Sequence, residues 1–223
     1  MRVAKIVLAL VVLAGPLAGQ AKRPSAANAG PDRAVADAGA FPKGWIARTD
    51  TRGKEPEVRF EVMEPGWHIT LGPAALLWRP ADKVEGPFTV STLLSQTRAP
   101  RHAEGYGIFV GGQSLESDAQ QKYTYFLIRG DGRYLIKRRE GANTSNITGG
   151  WTAHPGIVKA GASGEATNRL ELTVNRNRLV FRVNGKEVYS ADPRLIDARG
   201  VAGLRVNHNL DVHVQNFEVR REQ

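Results

Sequence analysis

The feature that most constrains this chain is a succession of short stretches in which every second residue is apolar. Leu170, Leu172 and Val174 alternate with Glu171 and Thr173, and Leu179, Phe181 and Val183 alternate with Val180 and Arg182. Earlier, Val58, Phe60 and Val62 alternate with Arg59 and Glu61. Trp67, Ile69 and Leu71 do so with His68 and Thr70, and Phe88, Val90, Thr92 and Leu94 with Thr89 and Ser91. A period of two sorts side chains to opposite faces of an extended strand. Between the runs lies turn chemistry. Asn175–Arg178 is a polar turn, and Asn184-Gly185 is the dipeptide that best tolerates the two positive φ angles of a type I′ hairpin. The phase changes between Val214 and Phe217, which predicts a bulge at Gln215-Asn216. Gly105, Gly107, Gly111 and Gly112 crowd one strand, the mark of a bend, a bulge or a close backbone approach. Ala74 to Trp78 reads as a short run that exits at Arg79, and Asn143 to Pro155 as the longest loop-like stretch. About a dozen strands follow, with no long amphipathic helix and no internal repeat. The expected fold class is all-β, with two packed antiparallel sheets.

The first 21 residues read as a cleavable signal peptide. Arg2 and Lys5 precede the apolar run Ile6–Leu13, and Gly19 and Ala21 sit where a signal peptidase needs small residues. The run is short of the ~20 residues that span a bilayer, so no transmembrane segment is expected after cleavage. Residues 22–40 are rich in Ala, Gly, Pro and Asp and lack large apolar groups, which predicts a flexible leader. The β-sandwich domain is expected over 41–223, beginning near Phe41 to Trp45. A chain of 223 residues can bury a core without staples. With no cysteine, thiolate zinc sites, iron–sulfur clusters and cysteine nucleophiles are excluded, and so is lipid anchoring through a cysteine. The expected location is the periplasm or the extracellular space.

Three segments carry a family resemblance: GYGIFVGG at Gly105–Gly112, YTYFLIRGDGRYLIKRREG at Tyr123–Gly141 and NRLELTVNRNRLVFRVNGKEV at Asn168–Val188. Their order, followed by Gly200-Val201-Ala202-Gly203-Leu204 and Asn216-Phe217-Glu218-Val219, resembles the concanavalin A-like lectin/glucanase superfamily. In particular it is similar to the laminin-G-like and 3-keto-disaccharide hydrolase-like modules of exported bacterial proteins. The resemblance covers residues 45–221. It implies a two-sheet antiparallel jelly-roll sandwich whose concave face often holds sugar and whose loops often hold calcium. Its motifs are turn and core residues, so they bear on fold rather than chemistry.

A retaining glycosidase needs two carboxylates facing one sugar, about 5 Å apart. No strand carries such a pair. The nearest approach, Glu116-Ser117-Asp118, reads as a polar loop, and Asp131 within Gly130-Asp131-Gly132 reads as a turn. The five histidines show no metal-ligand spacing. The stronger signal is basic and aromatic. Arg129, Lys137 and Arg139 cluster on one hairpin beside Tyr125, with Lys137 and Arg139 on one face and Arg138 on the other. Arg98 and Arg101 come shortly before, and Trp151 lies in the loop-like stretch. An aromatic floor with guanidinium forks suits a sugar ring, above all one bearing carboxylate or sulfate. The competing reading is a solvated edge with side-chain stems lying over apolar surface.

The formal charge is +9, and removing Arg2 and Lys5 leaves 29 basic against 22 acidic residues, or +7. That excess serves solubility or an anionic partner. The leading expectation is an exported, non-catalytic carbohydrate-binding module for neutral or acidic polysaccharide, contacting it through Arg98, Arg101, Tyr125, Arg129, Lys137, Arg139 and Trp151. No catalytic residue, metal ligand, required cofactor or nucleic-acid partner is expected, and calcium enters only through the resemblance. One alternative is a hydrolase of keto-glycosides using Glu116, Asp118, Asp131 or Glu140. The other is a structural protein-interaction domain.

Overall fold

The computed structural model describes residues 32, 33, 35, 41–50 and 58–222. The predicted signal peptide, and the predicted leader apart from residues 32, 33 and 35, lie outside the described residues.

Fifteen strands are present among the described residues. They are β1 (Ile46–Thr49), β2 (Val58–Val62), β3 (Trp67–Leu71), β4 (Ala75–Val84), β5 (Phe88–Gln96), β6 (Gly105–Gln113), β7 (Lys122–Arg129) and β8 (Arg133–Glu140). Then follow β9 (Asn143–Asn146), β10 (Thr152–Ala153), β11 (Ala166–Val174), β12 (Leu179–Val183), β13 (Lys186–Ala191), β14 (Gly200–Val206) and β15 (Asp211–Arg221). Between β13 and β14 lies a single 3-10 turn, Pro193–Leu195, with Asp192 capping it through Arg194 N. One sheet has eight strands in the order β1-β4-β14-β6-β7-β8-β10, with β9 also on β8. The other has seven, in the order β13-β12-β11-β5-β15-β3-β2.

The alternation read from the sequence is what joins the layers. Leu170, Leu172 and Val174 of β11 stand opposite Val183, Phe181 and Leu179 of β12. All six are buried, with Leu77, Ile108, Phe126 and Ile136 of the other sheet in the same cluster. The Asn184-Gly185 hairpin has φ of 51° and 76°, as a type I′ turn requires. Register slips between Gln215 and Glu218, with Asn216 at φ 52°, so the bulge inferred from the phase change is present. Two stretches differ from the sequence reading. β4 continues past Arg79 to Val84, because Arg79–Asp82 bulge out between Trp78, which faces Gly203, and Lys83, which faces Val201. Pro80, which has no N–H to give to a ladder, falls in that bulge. The stretch Asn143–Pro155 is not all loop. β9 and β10 use the free edge of β8, and β9 is exposed at all four residues, so no apolar alternation could reveal it.

Residues 32, 33 and 35 lie against the sandwich. Arg33 donates from Nε to Leu71 O (2.7 Å), from Nη2 to Leu210 O (2.8 Å) and from Nη1 to Asp211 Oδ2 (2.8 Å), while its N–H reaches Asn209 Oδ1 (2.7 Å). Asp32 pairs with His208, and Val35 is buried. Hydrogen bonds to charged groups contribute about 1.5–3 kcal/mol each. Arg33→Ala should therefore lower the unfolding free energy by about 2 kcal/mol, as measured by urea denaturation. An unchanged midpoint would show that the segment is not part of the folded unit.

Candidate functional site

A strand between two layers offers one face to the core and one outward, and the eight-stranded sheet uses its outward face unusually. Phe126, Ile128, Tyr134 and Ile136 point into the sandwich core. Their neighbours Tyr123, Tyr125 and Leu127 form a second hydrophobic layer with Leu76, Trp78, Phe109 and Leu115, joined at its edge by Ile46, Trp151 and Val201. Among the described residues no further sheet covers this aromatic floor, but its rings are buried, Tyr123 at 3% and Tyr125 at 8% exposure, with Trp151 half-buried at the edge. Phe109 and Tyr123 lie 5.6 Å apart, as do Tyr123 and Tyr125.

Register sets the charged groups around that floor. Across β7 and β8, Tyr125 faces Lys137, Tyr123 faces Arg139 and Arg129 faces Arg133. On β9, Asn146 stands opposite Lys137 and Thr144 opposite Arg139. On the far side, β6 places Phe109 against Tyr125, and β14 brings Gly203 against Phe109 and Arg205 against Gly107. The glycines permit this. A Cβ on Gly203 would sit 2.6 Å from the Phe109 ring and 2.3 Å from Leu77 O. One on Gly105 would sit 2.7 Å from the Trp151 ring, whose face carries Arg129 at 4.5 Å. Gly105→Ala should thus expel Trp151 from its place over β6 and break the cation–π stack. The near-UV circular dichroism should change while the far-UV spectrum is kept; an unaltered near-UV spectrum would place Trp151 elsewhere.

The ion pairs are unequal. Arg205 forms a bidentate pair with Asp50 (2.7 and 2.5 Å), and its side chain is only 9% exposed. Burial acts to raise the Asp50 carboxyl, but the hydrogen bonds and charge of Arg205, with Arg139 and Arg48 beyond, hold it below its ordinary value. Burial likewise opposes the charge on Arg205, and Asp50 more than restores it, so the guanidinium is held above its ordinary range. Arg48 bonds Leu115 O, Gln121 Oε1 and Asp118. Arg129 grips Asp131 at 2.8 and 2.6 Å. Lys137 and Arg139 differ. Arg139 gives Nε to Gly141 O, and Lys137 has no acceptor among the described residues. Burial, then the charges of Arg139 and Arg205, depress the Lys137 ammonium. Burial pushes the Tyr125 phenol up to about 12, so it stays a donor at neutral pH. Asp50, Asp118 and Asp131 are engaged by Arg205, Arg48 and Arg129, and among the described residues neither Lys137 nor Arg139 forms an ion pair with a carboxylate.

No family model and no curated protein matches this chain. Solved structures do. A carbohydrate binding module, CBM66 from Bacillus subtilis, superposes with a TM-score of 0.58 at 12% identity, over 79% of this chain and 95% of that one. The carbohydrate recognition domain of Emp47p gives 0.54 at 11% identity, over 86% and 94%, and a Bacillus licheniformis β-glucanase gives 0.53 at 9%, over 82% and 95%. The fold is concanavalin A-like.

Within this concanavalin A-like sandwich, Tyr125, Lys137, Arg139 and Arg129 share the outward face of the eight-stranded sheet, and Trp151 joins them through Arg129 and Gly105. Arg98 and Arg101 are not brought there. Arg98 pairs with Asp211, whose neighbour Val212 points into the core, so this pair lies outward on the seven-stranded sheet. Arg101 is exposed between β5 and β6. Glu116 and Asp118 occupy the β6–β7 loop, Asp131 the β7–β8 turn and Glu140 the end of β8. No group of three or more metal-ligating side chains converges among the described residues. Sequence reasoning did not single out Asp50, Arg48, Arg205 or Glu104. Burial raises the Glu104 carboxyl, against the pull of His208, Asn207, His102 and Arg129. The one available signal was Arg205 itself, an arginine inside the apolar run Val201–Val206.

Proposed function

We propose that this protein is a carbohydrate-binding module whose ligand lies on the outward face of the eight-stranded sheet, and that it favours glycans bearing carboxylate or sulfate. The observation that carries the reading is the donor-rich rim over the aromatic floor: Lys137, Arg139 and the Tyr125 phenol offer protons, and Asp50 and Asp118 are already taken by Arg205 and Arg48. A sugar ring packs its apolar face on an accessible aromatic side chain, here the half-buried Trp151 at the edge of the layer, and its hydroxyls or acidic groups accept from the surrounding forks. The carbohydrate-binding proteins among its structural neighbours support the same class of ligand. We also propose that the chain works after export, in the periplasm or outside the cell, on the strength of its first 21 residues.

A glycan array followed by calorimetry with acidic and neutral polysaccharides tests this. Binding by wild type that disappears in Tyr125→Ala and Arg139→Ala is the expected result. Binding that survives both substitutions would move the site off this face. Turnover of a keto-glycoside, abolished by changing a carboxylate, would replace binding with catalysis.

A further inference from the structure

One end of the sandwich holds a cavity of about 390 Å³ that includes none of the residues assigned to the ligand face. Its floor comes from the seven-stranded sheet. Phe88 on β5, Val174 on β11 and Leu179 on β12 stand side by side across three neighbouring strands. Ile196 and Ala198, in the connection from β13 to β14, line it as well. All five are buried members of the main core cluster, so this is a recess in the core itself. The half-buried Pro87 and Pro193 complete its apolar lining.

The walls are held in place without a ligand. Asn175 closes the β11–β12 turn: its N–H donates to Arg178 O (3.0 Å), and its Oδ1 accepts from Asn177 N (3.1 Å) and Arg178 N (2.7 Å). The segment 192–199 is tied to the eight-stranded sheet. Arg138 donates from Nη2 to Leu195 O, and Gln113 from Nε2 to Arg199 O (3.3 Å). A Cβ on Gly111 would lie 2.2 Å from Asp197 O, so the segment rests directly on β6. The cavity lies past the end of β4, at the β4–β5 turn, with Gly86 in its lining. The residues that flank 51–57 are at the other end of that strand: Asp50 bonds Ala74 O, and Val58 faces Leu71.

The charge around this recess is one-sided. Arg176, Arg194 and Arg199 line it against one carboxylate, Asp197. Arg194 and Arg199 have side chains 88% and 76% exposed, and they pair with near neighbours in sequence, Asp192 and Asp197. Exposed pairs of this kind are weak, so their guanidinium groups can turn to another anion. Arg176, on the exposed β11–β12 turn, has no ion pair among the described residues. A mainly apolar recess of a few hundred Å³ with a small number of polar groups is the usual form of a small-molecule site. Guanidinium forks select a carboxylate at its edge. We propose that this cavity binds a single acyl chain ending in a carboxylate, with the chain against Phe88, Val174, Leu179 and Ile196 and the carboxylate among the three arginines. The proposal is independent of the carbohydrate reading.

Isothermal titration calorimetry of the purified protein with hexanoate, octanoate, decanoate and dodecanoate, each below its micelle concentration, tests it. Affinity should rise about fourfold per methylene buried and level off once the recess is full. Decyltrimethylammonium, with the same chain and the opposite charge, should bind at least about tenfold more weakly than decanoate. Changing both Arg176→Glu and Arg194→Glu, at exposed positions that leave the fold intact, should weaken decanoate about tenfold and leave decanol unchanged. Ala198→Leu should fill the recess and shorten the chain at which affinity levels off, with circular dichroism checking its fold; the arginine variant decides the matter if Ala198→Leu does not fold. No binding of any alkanoate, equal binding of decanoate and decyltrimethylammonium, or decanoate binding untouched by the paired arginine substitutions would each overturn the proposal. Binding to phosphatidylglycerol vesicles with none to the free alkanoates would make this end a membrane contact and overturn it too.

Discussion

Arg205→Ala is expected to lower the unfolding free energy by about 3–5 kcal/mol, the cost of removing one partner from a buried pair. The reason is what remains. Asp50 keeps its charge in a largely buried position and loses the two hydrogen bonds that hold it there. Replacing both partners by apolar residues of similar size, Arg205→Met with Asp50→Leu, should recover most of the loss, since a buried ion pair is not itself a strong stabiliser. Urea denaturation of the single and double variants measures this. If Arg205→Ala is as stable as wild type, the pair is not the buried unit described. The same pair sets an acid dependence. Asp50 titrates lower in the folded chain than its ordinary value of 3.8. Its contribution is therefore complete at neutral pH and is lost as pH falls past 3.8 and through the folded-state value. The stability gap between wild type and Asp50→Asn should be wide at neutral pH and close in strong acid; a gap independent of pH would contradict the assignment.

Lys137→Ala is expected to weaken binding of an acidic glycan roughly ten- to hundredfold, since hydrogen bonds to charged groups contribute about 1.5–3 kcal/mol. On the carbohydrate reading proposed above, neutral glycans, which carry no charge for Lys137 to meet, should lose far less. The pH profile separates a binding role from a packing role. Because the Lys137 ammonium is depressed below its ordinary 10.5, affinity for an acidic ligand should fall as pH rises through that lowered value. Lys137→Arg keeps its charge throughout this range and should flatten the profile while retaining affinity. Calorimetry at several alkaline pH values reads the effect. A fall of equal size in Lys137→Arg would mean that another group titrates.

The all-β, two-sheet architecture was legible because alternation is a local code. Leu170–Val174 and Leu179–Val183 show their core face without reference to anything distant, and Asn184-Gly185 states the turn between strands in two residues. The bulge at Gln215-Asn216 was equally local, a break in phase. The end of β4 was not, because whether Arg79–Asp82 belongs to a strand depends on β14 resuming its pairing at Lys83. β9 was hidden for the opposite reason: four exposed polar residues carry no alternation, and only the free edge of β8 makes them a strand.

Part of the candidate site could also be read early, because Tyr125, Arg129, Lys137 and Arg139 belong to one hairpin and parity alone places them on one face. Parity does not say which sheet face looks outward, and it cannot join residues far apart in the chain. Asp50 meets Arg205 across 155 positions, and Arg98 is drawn to Asp211 across 113. Strand pattern, turn chemistry and the hairpin's basic face were properties of neighbouring residues, and the sequence by itself determined them. Which cations meet a carboxylate, as Arg205 meets Asp50 and Arg98 meets Asp211, was decided only by the tertiary structure, since an ion pair depends on distance in space and the sheet order sets that distance.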